Sequence, residues 1–148
     1  MDEKSIALAD IESVLGVKIT AAALPEIGER RIRIAFASGA RMTVVFSDDG
    51  KWQNAASFTA EDGSLLTEYV AILDGSAEIA TPGANERPVI ERYESGSMAI
   101  LDADWPHATH PAAGSCIVGI MSAGWKDMKR TMHPEFDAAV KRLVSKGS

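Results

Sequence analysis

The chain is short of the residues that staple, chelate or anchor a protein. Of its 148 residues one is a cysteine and three are histidines. A lone thiol cannot build a disulfide framework, and a chain of this length buries a core without one. Cys116 lies in the apolar run Ser115-Cys-Ile-Val-Gly-Ile-Met121, so the expected setting is a reducing compartment, with the cytoplasm as the default. Basic residues are also in deficit. Fifteen Lys and Arg against twenty-one Asp and Glu leave a net charge of -6 and a pI near 5.0, a balance that repels a phosphate backbone and argues against nucleic acid as a partner. Long apolar runs are missing too. No window reaches the length of a membrane span, and Met1-Asp-Glu-Lys-Ser-Ile-Ala-Leu8 holds no basic segment leading into an apolar one, so neither membrane insertion nor an export signal is expected.

What is present is a succession of short β patterns between two helical ones. Residues 3 to 15 fit a helix with Ile6, Leu8, Ile11, Val14 and Leu15 as its apolar stripe and Gly16 at the C-terminal cap position. Arg30-Arg-Ile-Arg-Ile-Ala-Phe36 alternates, Ser38-Gly39 breaks the pattern, and Arg41-Met-Thr-Val-Val-Phe-Ser47 is rich in β-branched and apolar residues, which together predict a hairpin. Further strands are expected at 52–59, 67–73, 76–81, 89–94, 97–101, 106–110 and 115–122. They are punctuated by Asp48-Asp-Gly50, Glu61-Asp-Gly-Ser64, Asp74-Gly75, Thr81-Pro-Gly83 and Glu94-Ser-Gly96. Short strands with this punctuation predict an all-β sandwich or barrel rather than βαβ units. A helix over 134–146 closes the chain: Pro134 suits its first position, Phe136, Ala139, Val140, Leu143 and Val144 form its apolar stripe, and Lys141, Arg142 and Lys146 suit the negative end of its dipole. No repeat or second domain is visible, so residues 1–148 are expected to form one domain with a barrel core over 30–122.

Two stretches within this pattern have fixed spacing. Glu68 is followed by six residues and then Gly75, and Gly96 is followed after ten residues by His107. Together they resemble the two motifs of the cupin superfamily, G-x5-H-x-H-x3-4-E-x6-G and G-x5-P-x-G-x2-H-x3-N, over residues 52 to 122. The resemblance implies a jelly-roll barrel, the double-stranded β-helix, with short helices at either end. In metal-bearing cupins the two histidines, the glutamate and the late histidine hold one divalent ion in the barrel. Here Asp62 and Ser64 stand at the histidine positions (Glu61 and Gly63 in the longer register), Ala56 at the leading glycine, Asp102 and Asp104 at the proline and glycine of the second motif, and Pro111 at the asparagine.

Strand parity places Asp62, Ser64, Glu68, Val70 and Ile72 on one face, toward the lumen if the strand runs unbroken through Gly63. Glu68 and His107 then form an acid/base pair. A wall of Trp52, Phe58, Met98, Ile100 and Met121, with Trp105 as a lid or a strand-start anchor, is expected to exclude water around a largely apolar small molecule. The leading reading is a small-molecule enzyme without a tightly held metal or other cofactor, doing isomerase, cyclase or lyase chemistry with Glu68 and His107 as catalytic groups and Asp62 and Ser64 as hydrogen-bonding ones. One alternative is a non-catalytic binding cupin. The other is a metal-dependent one in which Asp62, Glu68 and His107 hold a weak divalent ion. Glu68 and His107 can equally be a structural pair, since buried polar pairs often are. His110 falls on the opposite parity to His107 and is expected at the surface or a strand end, and His133 beside Pro134 is expected at a helix end. Tyr69, Ala71 and Leu73, on the face opposite Glu68, are apolar as well, which predicts that this face is covered by a second copy in a homodimer.

Overall fold

The computed structural model describes residues 7–122 and 128–146. In chain order the elements are α1 (Leu8–Leu15), β1 (Val17–Leu24), β2 (Glu29–Phe36), β3 (Arg41–Ser47), β4 (Ala56–Ala60), β5 (Thr67–Asp74), β6 (Ser76–Pro82), β7 (Pro88–Glu94), β8 (Met98–Asp102), β9 (Ala108–Pro111), β10 (Cys116–Met121), β11 (Met128–Met132) and α2 (Pro134–Lys146). The first layer is a six-stranded sheet in the order β1-β2-β3-β10-β5-β8. The second consists of β7-β6-β9 and β11-β4, joined by a bridge between Ala56 and His107. Every pairing is antiparallel. Neighbours such as β3 with β10 and β5 with β8 are distant in sequence, the mark of a jelly roll rather than a meander. The two layers face each other as a sandwich rather than closing into one ring of strands.

The core lies between the layers. Val45, Val70, Ile72, Ala99, Leu101 and Ile117 of the first sheet meet Ala77, Ile79 and Tyr93 of the second. Burying such aliphatic side chains contributes about 1.5–3 kcal/mol each. A second cluster lies on the far side of the second layer, where Phe136 and Val140 of α2 pack on Ala55, Ala80 and Ala108 with Trp52 and Ile90 beside them. The start of α2 is tied down: Asp137 accepts the backbone N–H of Ala55 (2.7 Å), and His133 Nε2 lies 2.7 Å from Ser57 Oγ, the helix-end role expected of His133. Among the described residues no helix is long and apolar enough to cross a membrane.

Two strands escape the sequence pattern. β1, Val-Lys-Ile-Thr-Ala-Ala-Ala-Leu, has too many alanines to read as a strand, yet it pairs with β2 along its full length. β11, Met-Lys-Arg-Thr-Met, has no apolar alternation and is held by its register with β4. The first helix begins at Leu8 in the described part, and residues 3–6 of the expected helix lie outside it. It ends where expected, with Gly16 in a left-handed conformation (φ 64°) and its N–H returned to Glu12 O. The expected strand at Trp52 starts later, at Ala56.

Candidate functional site

Below the packed core the layers part around a cavity of about 350 Å³, at the lower end of the usual range for small-molecule sites. Buried Val70, Ile117 and Met121 form its floor, while exposed Glu26 and Arg130 stand at its rim. Glu68 and His107 both face it. Glu68 comes from β5, whose inward parity it shares with Val70 and Ile72. His107 immediately precedes β9 and is 7% exposed. Its backbone is locked by reciprocal hydrogen bonds with Ala56, each 3.0 Å long, at the seam between the two halves of the second layer. Gly119 gives Glu68 its room: a Cβ there would lie 3.3 Å from Glu68 Oε1, so the carboxylate rests on bare backbone.

The ring geometry of His107 determines where its protons are. Nδ1 lies 2.9 Å from the carbonyl oxygen of Trp105, which can only accept, so Nδ1 carries a hydrogen. Nε2 lies 2.9 Å from Glu68 Oε2. In a neutral ring that nitrogen would present a lone pair to a carboxylate oxygen, which is repulsive. A proton therefore sits between them, on the imidazole or on the carboxyl. Phe58 leans on the ring at 5.9 Å. Burial alone would lower the pKa of His107, but the hydrogen bond and charge of Glu68, helped by the Trp105 carbonyl, outweigh it and raise the pKa above its ordinary 6.5.

Because the folded pKa is the higher one, the stabilisation from this pair is fully present below about pH 6.5 and is lost as pH rises through the folded value. We expect the unfolding free energy to fall as pH rises from about 6.5 through the folded value, by about 1.4 kcal/mol for each tenfold gain in proton affinity on folding. Denaturant titrations of the wild type and Glu68→Gln check this. The same slope in both proteins would show that the pair is not its source.

Cations line the same cavity, which the sequence patterns did not reveal. Arg31 and Arg33 of β2, Arg41 of β3 and Arg130 of β11 all line the cavity. Arg41 is buried, its guanidinium 5.5 Å above the Phe58 ring and its Nη2 3.8 Å from Met121 Sδ. Burial brings its pKa down to about 10; Glu68 pulls it up, while Arg33, Arg130 and Arg31 add to the depression. Arg31 is held by buried Glu29 through Nε (3.0 Å) and Nη2 (2.8 Å). The only sequence signal was the alternation in β2, which a half-buried strand would ordinarily resolve with Ile32 and Ile34 inward. Here the arginines point in.

Several expected site residues lie elsewhere. Asp62 and Ser64 are corrected from the lumen to an exposed turn, where Asp62 Oδ1 accepts both the N–H (2.9 Å) and the hydroxyl (2.6 Å) of Ser64. Gly63 at φ +80° ends the strand parity before it reaches them. Trp52 is corrected to the outer side, stacked on His110 at 4.9 Å, because β4 does not extend back to it. His110 itself bonds Gly50 O (2.6 Å) and Glu78 (3.1 Å), outside the cavity. Met98 and Ile100, at 50% and 65% exposure, lie on the outer face of β8 because Ala99 and Leu101 take the inner one. Trp105 is 53% exposed and borders a separate cavity of about 300 Å³ beside Tyr93 and Leu101, so its contribution to the lumen is its carbonyl. Phe58 and Met121 do line the site cavity.

A divalent ion does not fit this donor set. Among the described residues no three His, Cys, Asp or Glu side chains gather in a metal-binding group. Asp62 is on the turn, and both ring nitrogens of His107 are engaged. Tight sites for borderline metals need three or four such donors.

No family model matches the chain, and no curated protein matches it. Solved structures do. Oxalate decarboxylase from Bacillus subtilis aligns with a TM-score of 0.61 at 11% identity over 76% of this chain and 30% of its own. KdgF from Halomonas sp. aligns with a TM-score of 0.53 at 14% identity over 69% of this chain and 85% of its own. A Vibrio parahaemolyticus protein described as of unknown function aligns with a TM-score of 0.52 at 12% identity over 70% and 97%. The match spans under a third of the oxalate decarboxylase chain. At these identities the likeness is one of fold.

Proposed function

Taking the chain as a cupin by fold, we propose that its lumen is a small-molecule site in which Glu68 and His107 act as a general acid/base pair, in chemistry of the isomerase, cyclase or lyase type. The observation that carries this reading is the 2.9 Å contact between His107 Nε2 and Glu68 Oε2 with Nδ1 already committed to a carbonyl. One proton is shared by two groups on a cavity wall, so the pair can give a proton to a ligand atom or take one from it without either side being left as an isolated charge. Val70, Phe58 and Met121 limit water around the pair, and the locked backbone of His107 fixes its direction.

Proton transfer to carbon leaves a trace without the substrate being known. We expect the wild type, incubated with a small-molecule extract in heavy water, to introduce deuterium into one compound, and Glu68→Gln to lose at least about a hundredfold of that rate. Equal labelling by both proteins would rule out Glu68 as the acid/base. Stoichiometric ligand binding with no labelling would favour the non-catalytic binder.

The assembly is proposed on the outer face of the first sheet. Ile32, Ile34, Met42, Val44, Tyr69 and Ile120 share that face with Leu73, Met98 and Ile100, and several of them are exposed. Apolar sheet faces of this extent call for a cover, and a second copy supplies one. Light scattering should return twice the 15.8 kDa chain mass, and Ile100→Lys should shift it toward the single-chain value. A wild type that scatters as single chains would remove the proposal. The lone thiol suits a reducing compartment; burial and the nearby Asp74 carboxylate push its pKa up, which keeps it unreactive.

A further inference from the structure

Gly119 stands in the interior of β10, in register with Thr43 of β3 on one side and Val70 of β5 on the other, and its φ is not among the positive ones. No turn requires a glycine there. A glycine inside a strand costs stability, because more backbone freedom is lost on folding and no side chain packs in return, and such positions often mark the close approach of another group. Ile117 and Met121, which share its inward face, are large and buried. Gly119 is the gap between them, and it opens on the cavity beside Glu68.

Distance shows what the gap leaves free. Apart from its chain neighbours, a Cβ at position 119 would meet only Glu68 Oε1 within 4 Å, at 3.3 Å. The carboxylate would have to give by no more than a few tenths of an ångström, so what alanine would chiefly take away is the open side of that oxygen. The two oxygens of Glu68 differ. Oε2 is bonded to His107 Nε2 at 2.9 Å, while among the described residues Oε1 makes no hydrogen bond. The side chain keeps 18% of its surface exposed, within a wall that is otherwise closed by Val70, Ile117 and Met121.

We propose that Gly119 is a specificity-determining residue: it keeps open the approach to Glu68 Oε1, the oxygen that meets the ligand, and admits a ligand whose group at that point is slender, an O–H or an unbranched acidic C–H. A carboxylate oxygen only accepts, so the group facing it must donate. This rests on the reading of the lumen as an acid/base site and deepens it, dividing the two oxygens of Glu68 between His107 and the ligand. In the proton transfer of that reading, Oε1 takes the ligand's proton while the bonding electron pair stays on the ligand. The carboxyl then returns the proton to another ligand atom, so no further reactant is consumed.

The test uses the full chain with Gly119→Ala and Gly119→Ser. The first readout is methylation of Glu68 by trimethyloxonium, followed by peptide mass spectrometry against exposed Glu135 of the same molecules. A methyl group passes to a carboxylate oxygen and dimethyl ether leaves, so the rate reports access to Oε1 without any substrate. It should fall about tenfold or more in both variants, and deuterium introduction with it. The His107 titration followed by NMR should stay at its wild-type position, and the thermal unfolding midpoint should hold or rise. A wild-type Glu68 that resists methylation, unchanged methylation in both variants, or full deuterium labelling by both would overturn the inference. So would a lowered midpoint or a displaced His107 titration, because the glycine would then serve the strand or the pair. Methylation slowed as expected, in a protein whose wild type introduces no deuterium, would leave this inference standing and remove the catalytic one.

Discussion

Glu29→Ala is expected to cost about 3–5 kcal/mol of stability, the range for removing one partner of a buried ion pair. Glu29 is 2% exposed. Its Oε2 takes both hydrogen bonds of Arg31, and its Oε1 takes one from Gln53 Nε2 at 2.9 Å. Gln53 is itself fastened to the second layer by its backbone N–H to Thr109 O. Alanine would therefore leave a guanidinium facing the cavity without its counter-ion and cut a polar tie between the start of β2 and the opposite layer. Glu29→Gln keeps the volume and one acceptor, and should cost only about 1–3 kcal/mol. Urea unfolding of the three proteins measures the difference. An alanine variant within 1 kcal/mol of the wild type, on the order of ordinary surface changes, would show that Glu29 is not holding the lumen wall.

The second large effect is expected at Gly75, in the junction between β5 and β6. Its φ is +84°, a conformation that costs an L-residue about 1–2 kcal/mol. A Cβ there would also run into Ser115, meeting its Oγ and approaching its Cβ at 2.9 Å. Ser115 cannot easily move, because it is buried and its Oγ receives the N–H of Ser76 at 3.0 Å. Overpacking adds about 1–3 kcal/mol, so Gly75→Ala should lose about 2–5 kcal/mol in total. Gly96 is the control. Its φ is +88°, but nothing lies within 4 Å of where a Cβ would stand, so Gly96→Ala should lose only the conformational share, about 1–2 kcal/mol. Equal losses at the two glycines would mean that the Ser115 contact relaxes freely.

This pair of glycines also shows why the fold was readable. Gly75 and Gly96 mark turns that the backbone can make only with positive φ, and between them, β6 and β7 lie close to their expected bounds. β3 and α2 coincide with the sequence pattern because β3 is rich in β-branched and apolar residues between clear turn signals and the apolar residues of α2 keep one helical period. β1 and β11 were not readable because what holds them is pairing with a partner strand, not their own residues. In the site, Glu68 and His107 were legible from spacing. Asp62 and Ser64 were misplaced because parity was carried across Gly63, where the chain turns. The arginine wall was missed for a different reason: alternation in β2 says that two faces differ, and only the rest of the molecule decides which face is inside.

β2 alternates two quite different surfaces along a single strand. Arg31 and Arg33 line the cavity, Ile32 and Ile34 belong to the outer apolar face, and they interleave one by one. A register slip of one residue exchanges the two sets, placing isoleucines in the cavity and guanidinium groups among the apolar residues of the outer face. A single slip would thus disturb the cavity lining and the outer face together.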